Sequence, residues 1–158
     1  MREMAACGLG SGTGVLALGA SLLGAARGVG VELGPAAISA ARRNAARLEA
    51  EVTFVQGDVR DTGLIEGLGR FDTVIMNPPF GAQDPHADRP FVDAALRLAP
   101  VVYGIFNSGT IPFLEAYTTG RAEIEFAVGG ILPLKRTLSF HRKDVVEIEV
   151  EILRLRRR

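Results

Sequence analysis

Cysteine, histidine and net charge are scarce in this sequence. The single cysteine, Cys7, has no partner for an internal disulfide, and with only His86 and His141 beside it the chain offers no recognisable metal-ligand spacing. Both facts suit a reducing cytoplasm and exclude a disulfide framework. Eighteen basic residues balance eighteen acidic ones, so long-range electrostatics nominates no polyanionic partner. The balance is not local, because from Pro133 onward eight basic residues face four acidic ones. Long apolar runs are also missing. Val15 to Ala26, the most apolar stretch, falls short of the roughly 18 residues of a membrane span and is broken by Gly19, Ser21 and Gly24. No charged-then-apolar signal precedes it, so a cytoplasmic protein is expected. No internal repeat, low-complexity tract or linker divides the 158 residues, which predicts one domain over residues 1–158 with a real core.

What is present begins with glycine. Met4 to Cys7 reads as the end of a short strand running into Gly8-Leu9-Gly10-Ser11-Gly12-Thr13-Gly14, where glycine at every second position lets backbone approach a ligand closely. Neither Gly8 nor Gly10 starts the G-x-G-x-x-G pattern of dinucleotide folds. A helix is expected from near Thr13 to Leu22 or Leu23. Gly28 to Glu32 then reads as a buried strand ending in a carboxylate, 18 positions beyond Gly14. That is where nucleoside-binding folds hydrogen-bond ribose hydroxyls. Pro35 suits the first turn of a helix that runs over Ala36 to Leu48. Glu51 to Gln56 is a third strand followed by Gly57-Asp58, and Leu64 to Leu68 a short helix.

Phe71 to Met76 is a fourth strand that ends in Asn77-Pro78-Pro79-Phe80-Gly81. Proline cannot donate a ladder hydrogen bond and pushes the preceding residue out of the helical region, so the strand stops in a stiff, extended corner. A carboxamide, free carbonyls and an aromatic ring are thereby held together. After a polar loop, Phe91 to Leu98 reads as a helix, Val101 to Phe106 as a fifth strand and Ile111 to Tyr117 as a short helix. Glu123 to Val128 and Val146 to Ile152 alternate with the period of half-exposed antiparallel strands. Between them a connection through Pro133-Leu134-Lys135-Arg136 and Phe140-His141 sets cations beside apolar residues. Five β/α units and a closing antiparallel pair predict a doubly wound α/β sheet.

The order of glycine loop, strand-ending acid, Gly-Asp and Asn-Pro-Pro-Phe resembles the class I, S-adenosylmethionine-dependent amino-methyltransferases. More narrowly, Asn77 to Gly81, His86-Ala87-Asp88-Arg89-Pro90-Phe91, Pro133 to Arg136 and Phe140-His141 resemble the archaeal and eukaryotic small-subunit ribosomal RNA adenine-N6 methylases. The resemblance covers nearly the whole chain and implies strand order 3-2-1-4-5-7-6. It implies S-adenosylmethionine as cofactor and methyl transfer to the N6 amine of an unpaired or flipped adenine. In that pattern Asn77 and the Pro78 carbonyl accept the amine hydrogens, Pro79 stiffens the corner and Phe80 stacks on the base. Gly10, Gly12, Thr13 and Val15 surround the methionine portion, Glu32 takes the ribose hydroxyls, and Asp58 with the Val59 backbone meets the adenine. His86, Arg89, Lys135, Arg136, His141 and Lys143 form an RNA-facing rim.

Two departures stand out. Gly8 occupies the place of the family's acidic residue, and the chain opens almost inside the first strand, where the family carries some tens of residues that cover the cofactor. Both predict weak cofactor binding. Rival readings are a methyltransferase for another planar nitrogen, such as a protein glutamine or a DNA base, and a catalytically dead binding module with the same fold. In the implied order the third strand lies at a sheet edge, so Val52-Thr53-Phe54-Val55 is expected to offer unpaired backbone to another strand. The resembled family uses a small zinc-binding activator subunit, and docking is expected there.

Overall fold

The computed structural model describes residues 3–79, 84, 86–135 and 145–158. Seven strands form one sheet in the order β3-β2-β1-β4-β5-β7-β6. They are β1 (Ala5–Leu9), β2 (Arg27–Glu32), β3 (Thr53–Gln56), β4 (Thr73–Met76), β5 (Val101–Asn107), β6 (Ala122–Lys135) and β7 (Val145–Arg157). The first five are parallel, while β7 runs antiparallel to both β5 and β6. The helices are α1 (Val15–Leu22), α2 (Pro35–Leu48), α3 (Thr62–Gly67), α4 (Arg89–Leu98) and α5 (Ile111–Tyr117). The fold and strand order are those the sequence implied.

Local chemistry sets the helix starts. Pro35, Pro90 and Pro112 each sit in a first turn, where a missing N–H costs nothing. At α3 the Asp61 carboxylate accepts the Leu64 N–H at 3.0 Å, the usual service of an N-cap.

Each face of the sheet has its own core. On one, Leu9, Val31, Val74, Met76, Val102, Phe106, Leu153 and Leu155 are almost wholly buried with residues of α4 and α5. Each such side chain contributes about 1.5–3 kcal/mol by leaving water. On the other, Phe54 joins Ala17 and Leu18 of α1 and Ile38, Ala41 and Ala45 of α2. These two helices cover only the β1–β3 half. Across β5, β7 and β6 that face leaves Tyr103, Ile152, Phe126 and Val128 exposed.

Three boundaries differ from expectation. β1 extends through Gly8 and Leu9, because both pair with β2 (Gly30, Val31) and with β4 (Ile75, Met76). The glycine loop therefore starts at Gly10. β6 continues through Pro133 to Lys135, so the start of the expected connection is strand. Proline is tolerated there because β6 is an edge. β7 runs on to Arg157, its buried Leu153 and Leu155 alternating with outward arginines.

Candidate active site

The carboxyl ends of β1, β2, β3 and β4 carry Gly10, Glu32, Gly57-Asp58 and Asn77 to a common edge, where ligands of open α/β sheets bind. Gly10, Gly12 and Gly14 all have positive φ, at 60°, 54° and 95°, a backbone that only glycine adopts at no cost. At Gly10 a Cβ would also lie 2.8 Å from the Phe91 ring. The loop is closed by the Ser11 N–H to the Val31 carbonyl at 2.9 Å and the Gly14 N–H to the Ser11 carbonyl at 2.8 Å.

Glu32 is the fastener of the loop. Its Oε2 accepts the Gly12 N–H at 2.8 Å and its Oε1 the Gly34 N–H at 2.9 Å. An ionised carboxylate offers about four acceptor positions, so two remain for hydroxyl donors in the cavity. Asp58 is more fully engaged than the sequence suggested. Its Oδ1 accepts the Arg60 backbone N–H at 2.8 Å, and its Oδ2 accepts a guanidinium nitrogen of Arg60 at 2.6 Å. Hydrogen bonds from that guanidinium, then from the backbone, hold the Asp58 carboxyl below the ordinary carboxylate range.

These groups surround a cavity of about 500 Å³, within the range of small-molecule and cofactor sites. Gly10, Glu32, Asp58 and Val59 line one part, and Asn77, Pro79 and His86 another. Asn77 is exposed, Pro78 buried and Pro79 exposed, so the corner presents the carboxamide to solvent while anchoring itself behind. Gly12 shapes the cavity through its bond to Glu32 rather than by lining it. Thr13 and Val15 stand outside the lining; the Thr13 carbonyl accepts the Asn44 amide at 3.0 Å, and Val15 is 71% exposed at the start of α1. Arg89 points away, its guanidinium over the rings of Phe113 and Tyr117 at 5.1 and 5.2 Å. The Lys135 backbone pairs with Val145 at the far end of β6. Phe80, Arg136, His141 and Lys143 lie outside the described residues.

The sequence reading did not assign Val31, Leu33, Arg60, Asp84, Ala87, Pro90 or Phe91, which also line the cavity. Leu33 carried a signal, an apolar side chain directly after a strand-ending acid and 60% exposed in the fold. Phe91 stood in the His86–Phe91 run but without a role, and Arg60 carried no signal, since their roles depend on Gly10 and Asp58, which the fold brings to them.

Among the described residues no group of three His, Cys, Asp or Glu side chains could hold a metal, and no helix is long and apolar enough to cross a membrane. The donor set is instead that of a nucleoside site. It has two carboxylates at strand ends, backbone brought close by glycines, and a carboxamide across the cavity. Ser11 Oγ is buried beside this loop with no hydrogen-bond partner among the described residues.

Fold and site together define a class I S-adenosylmethionine-dependent N-methyltransferase. Residues 6–100 match the family model described as "Methyltransferase domain", and the chain belongs to that family. It is 39% identical over 155 residues to an uncharacterised protein of Methanocaldococcus jannaschii, covering 93% of this chain and 71% of the relative. It is 32% identical over 150 residues to the zebrafish (Danio rerio) rRNA N(6)-adenosine-methyltransferase METTL5, covering 92% and 72%. A Pyrococcus horikoshii crystal structure of a candidate RNA methyltransferase superposes with a TM-score of 0.86 at 33% identity, covering 99% of this chain and 76% of the other.

Proposed function

We propose that the protein methylates the exocyclic N6 of an unpaired or flipped adenine in RNA, and that the RNA is ribosomal. The observation that carries this reading is the cavity itself, in which Asn77, exposed at the end of β4, shares one space with Glu32 and Asp58. The similarity to rRNA N6-adenosine methyltransferases over more than nine-tenths of the chain supports the choice of base.

S-adenosylmethionine supplies an electrophilic sulfonium methyl. The residues of this chain orient both reactants. Glu32 would accept ribose hydroxyls with the lone pairs that Gly12 and Gly34 leave free, Gly10 would give the methionine portion an approach along bare backbone, and Asp58 with the Val59 backbone would hold the adenine of the cofactor. The amine of the target base is a poor nucleophile because its lone pair is delocalised into the ring. Asn77 Oδ1 and the Pro78 carbonyl accept its two hydrogens, which favours a pyramidal nitrogen in line with the methyl, with reacting atoms roughly 3 Å apart. As the N–C bond formed, the S–C pair would leave on sulfur, the positive charge growing on nitrogen would be met by those two oxygens, and the nitrogen would then release one proton to water. Phe80 stacks on the target base, an interaction worth about 1–3 kcal/mol. Flanking RNA is received at His86, which lines the cavity, and by the basic residues Lys135, Arg136, His141 and Lys143.

Transfer of labelled methyl to ribosomal RNA, with N6-methyladenosine read by mass spectrometry, tests the reading. Asn77→Ala should lower turnover by about 10²–10³-fold while the cofactor still binds. Wild-type turnover in that variant would overturn the assignment.

A small zinc-binding activator subunit is the proposed partner, docked at the β3 edge. Phe54 is 6% exposed and packs inward, so the edge offers backbone, the exposed side chains of Thr53 and Gln56 and part of Val55. The Gly57 N–H points inward to the Glu32 carbonyl at 3.0 Å, and alternation along a parallel strand then turns the N–H of Gln56 outward. Gln56→Pro should block strand addition without touching the core. An unchanged complex in that variant would count against docking here.

A further inference from the structure

A strip of three stacked rings, with Arg89 over two of them and Arg121 at its end, leaves the catalytic cavity along α5. It begins at His86, whose ring lines the cavity and stacks on Phe113 with centroids 5.7 Å apart. Phe113 stacks on Tyr117 one turn later in α5, at 5.6 Å, and Arg121 lies over the Tyr117 ring at 4.9 Å. The strip follows α5 toward the amino end of β5, where the Arg157 N–H donates to the Pro100 carbonyl and the Arg158 N–H to the Arg121 carbonyl, each at 2.9 Å. It ends in a groove of about 650 Å³ whose cationic lining is Arg97, Arg121, Arg157 and Arg158, with Asp93 as its one acidic member.

The arginines of this groove are held but not used up. Asp93 binds Arg121 at 2.7 Å, Glu66 binds Arg97 at 3.2 Å and Glu123 binds Arg158 at 3.4 Å, each through one guanidinium nitrogen. Arg157 donates to the Leu96 carbonyl at 2.8 Å. A guanidinium carries five N–H donors in a fork that matches phosphate, so each keeps donors for an anion. Tyr117 is fixed in turn, its hydroxyl donating to Asp93 Oδ2 at 2.7 Å. The strip is therefore preorganised, with π-faces and cations interleaved as single-stranded nucleic acid requires.

We infer that this flank is a second RNA track. A strand flanking the target adenine leaves the cavity at His86, runs along Phe113 and Tyr117, and seats its phosphates in the arginine groove. The inference rests on the RNA reading above and, beyond His86 where the strand leaves the cavity, concerns residues that the reading does not use. It also reconciles an overall charge of zero with a polyanionic substrate, because the cations are gathered where the strand runs.

The test is direct RNA binding by fluorescence anisotropy across a salt series. It uses a ribosomal RNA fragment with several unpaired nucleotides on either side of the target, and a short oligonucleotide holding only the target and its neighbours. In the Arg97→Gln/Arg121→Gln/Arg158→Gln variant, affinity for the fragment should fall at least tenfold. The slope of log K against log salt should fall by about 2, at roughly 0.7 per single-strand phosphate contact. Short-oligonucleotide affinity should hold. The matching triple lysine variant should keep most of the fragment affinity and slope, and calorimetric S-adenosylmethionine binding reports that both variants are folded. Equal fragment affinity and slope in wild type and the glutamine variant would overturn the track. So would an equal loss for fragment and short oligonucleotide. A wild type that binds the fragment through these arginines but transfers no methyl would retain the track and overturn the proposed reaction.

Discussion

The two edges of the parallel sheet are built from opposite materials. At the carboxyl edge the chain is stripped down. Glycines with positive φ, the proline corner and two carboxylates leave backbone and acceptors facing a cavity. At the amino edge it is armoured, with Arg27, Arg70, Arg97 and Arg157 donating to carbonyls of Leu68, Arg97, Leu96 and their neighbours or pairing with Glu66. Acceptors at one edge suit hydroxyls and amines, whereas donors at the other suit phosphate. A single sheet thus presents acceptors at one edge and donors at the other.

Substitutions can break this contrast one edge at a time. The largest effect is expected at Asn77→Ala, where turnover should fall by two to three decades. Glu32→Ala should follow. It removes a charged acceptor from Gly12 and Gly34 as well as from the cofactor, and lost charge-assisted bonds of roughly 1.5–3 kcal/mol each predict about a hundredfold weaker S-adenosylmethionine binding by calorimetry. Binding that stays within threefold would mean the carboxylate serves the loop alone.

At the amino edge, Arg157→Gln should lower stability by about 1 kcal/mol, seen as a lower denaturation midpoint, because the Leu96 carbonyl loses its donor. An unchanged midpoint would show that this arginine is held there for a ligand only. The smallest effect is expected between the edges. Burial pushes the Cys7 thiol from 9.0 up to about 12, so the folded state holds its proton where the unfolded chain has lost it. This contribution is full below pH 9 and is lost as pH rises toward 12. Alkylation at pH 8 should be slow in the folded protein and fast in denaturant; rapid labelling of the folded chain would contradict the burial.

The alternation over residues 123–128 and 146–152 and the prolines at helix starts and after β4 made those elements legible. The corner at Asn77-Pro78-Pro79, the acid ending β2 and the glycine loop all announced a site at one edge. Errors arose where pairing rather than propensity decides. Gly8 belongs to β1 because β2 and β4 hold it from both sides, and a loop glycine and a strand glycine look alike in isolation. A tail of alternating leucine and arginine concealed the end of β7 in the same way, since only β5 shows which residues face inward. Phe54 read as part of an open edge, yet its ring fills the space between α1 and α2.

By itself the sequence determined the class of fold, the strand order through its resemblance, and the polar groups that end each parallel strand. These follow from local periodicity and steric rules that act over a few residues. Only the tertiary structure decided that Glu32 clasps Gly12, that Phe91 closes over Gly10, that Arg60 takes Asp58, and that residues 97, 121, 157 and 158 meet in one groove. Such partners are chosen by packing across the sheet, where separation along the chain carries no information about distance in space.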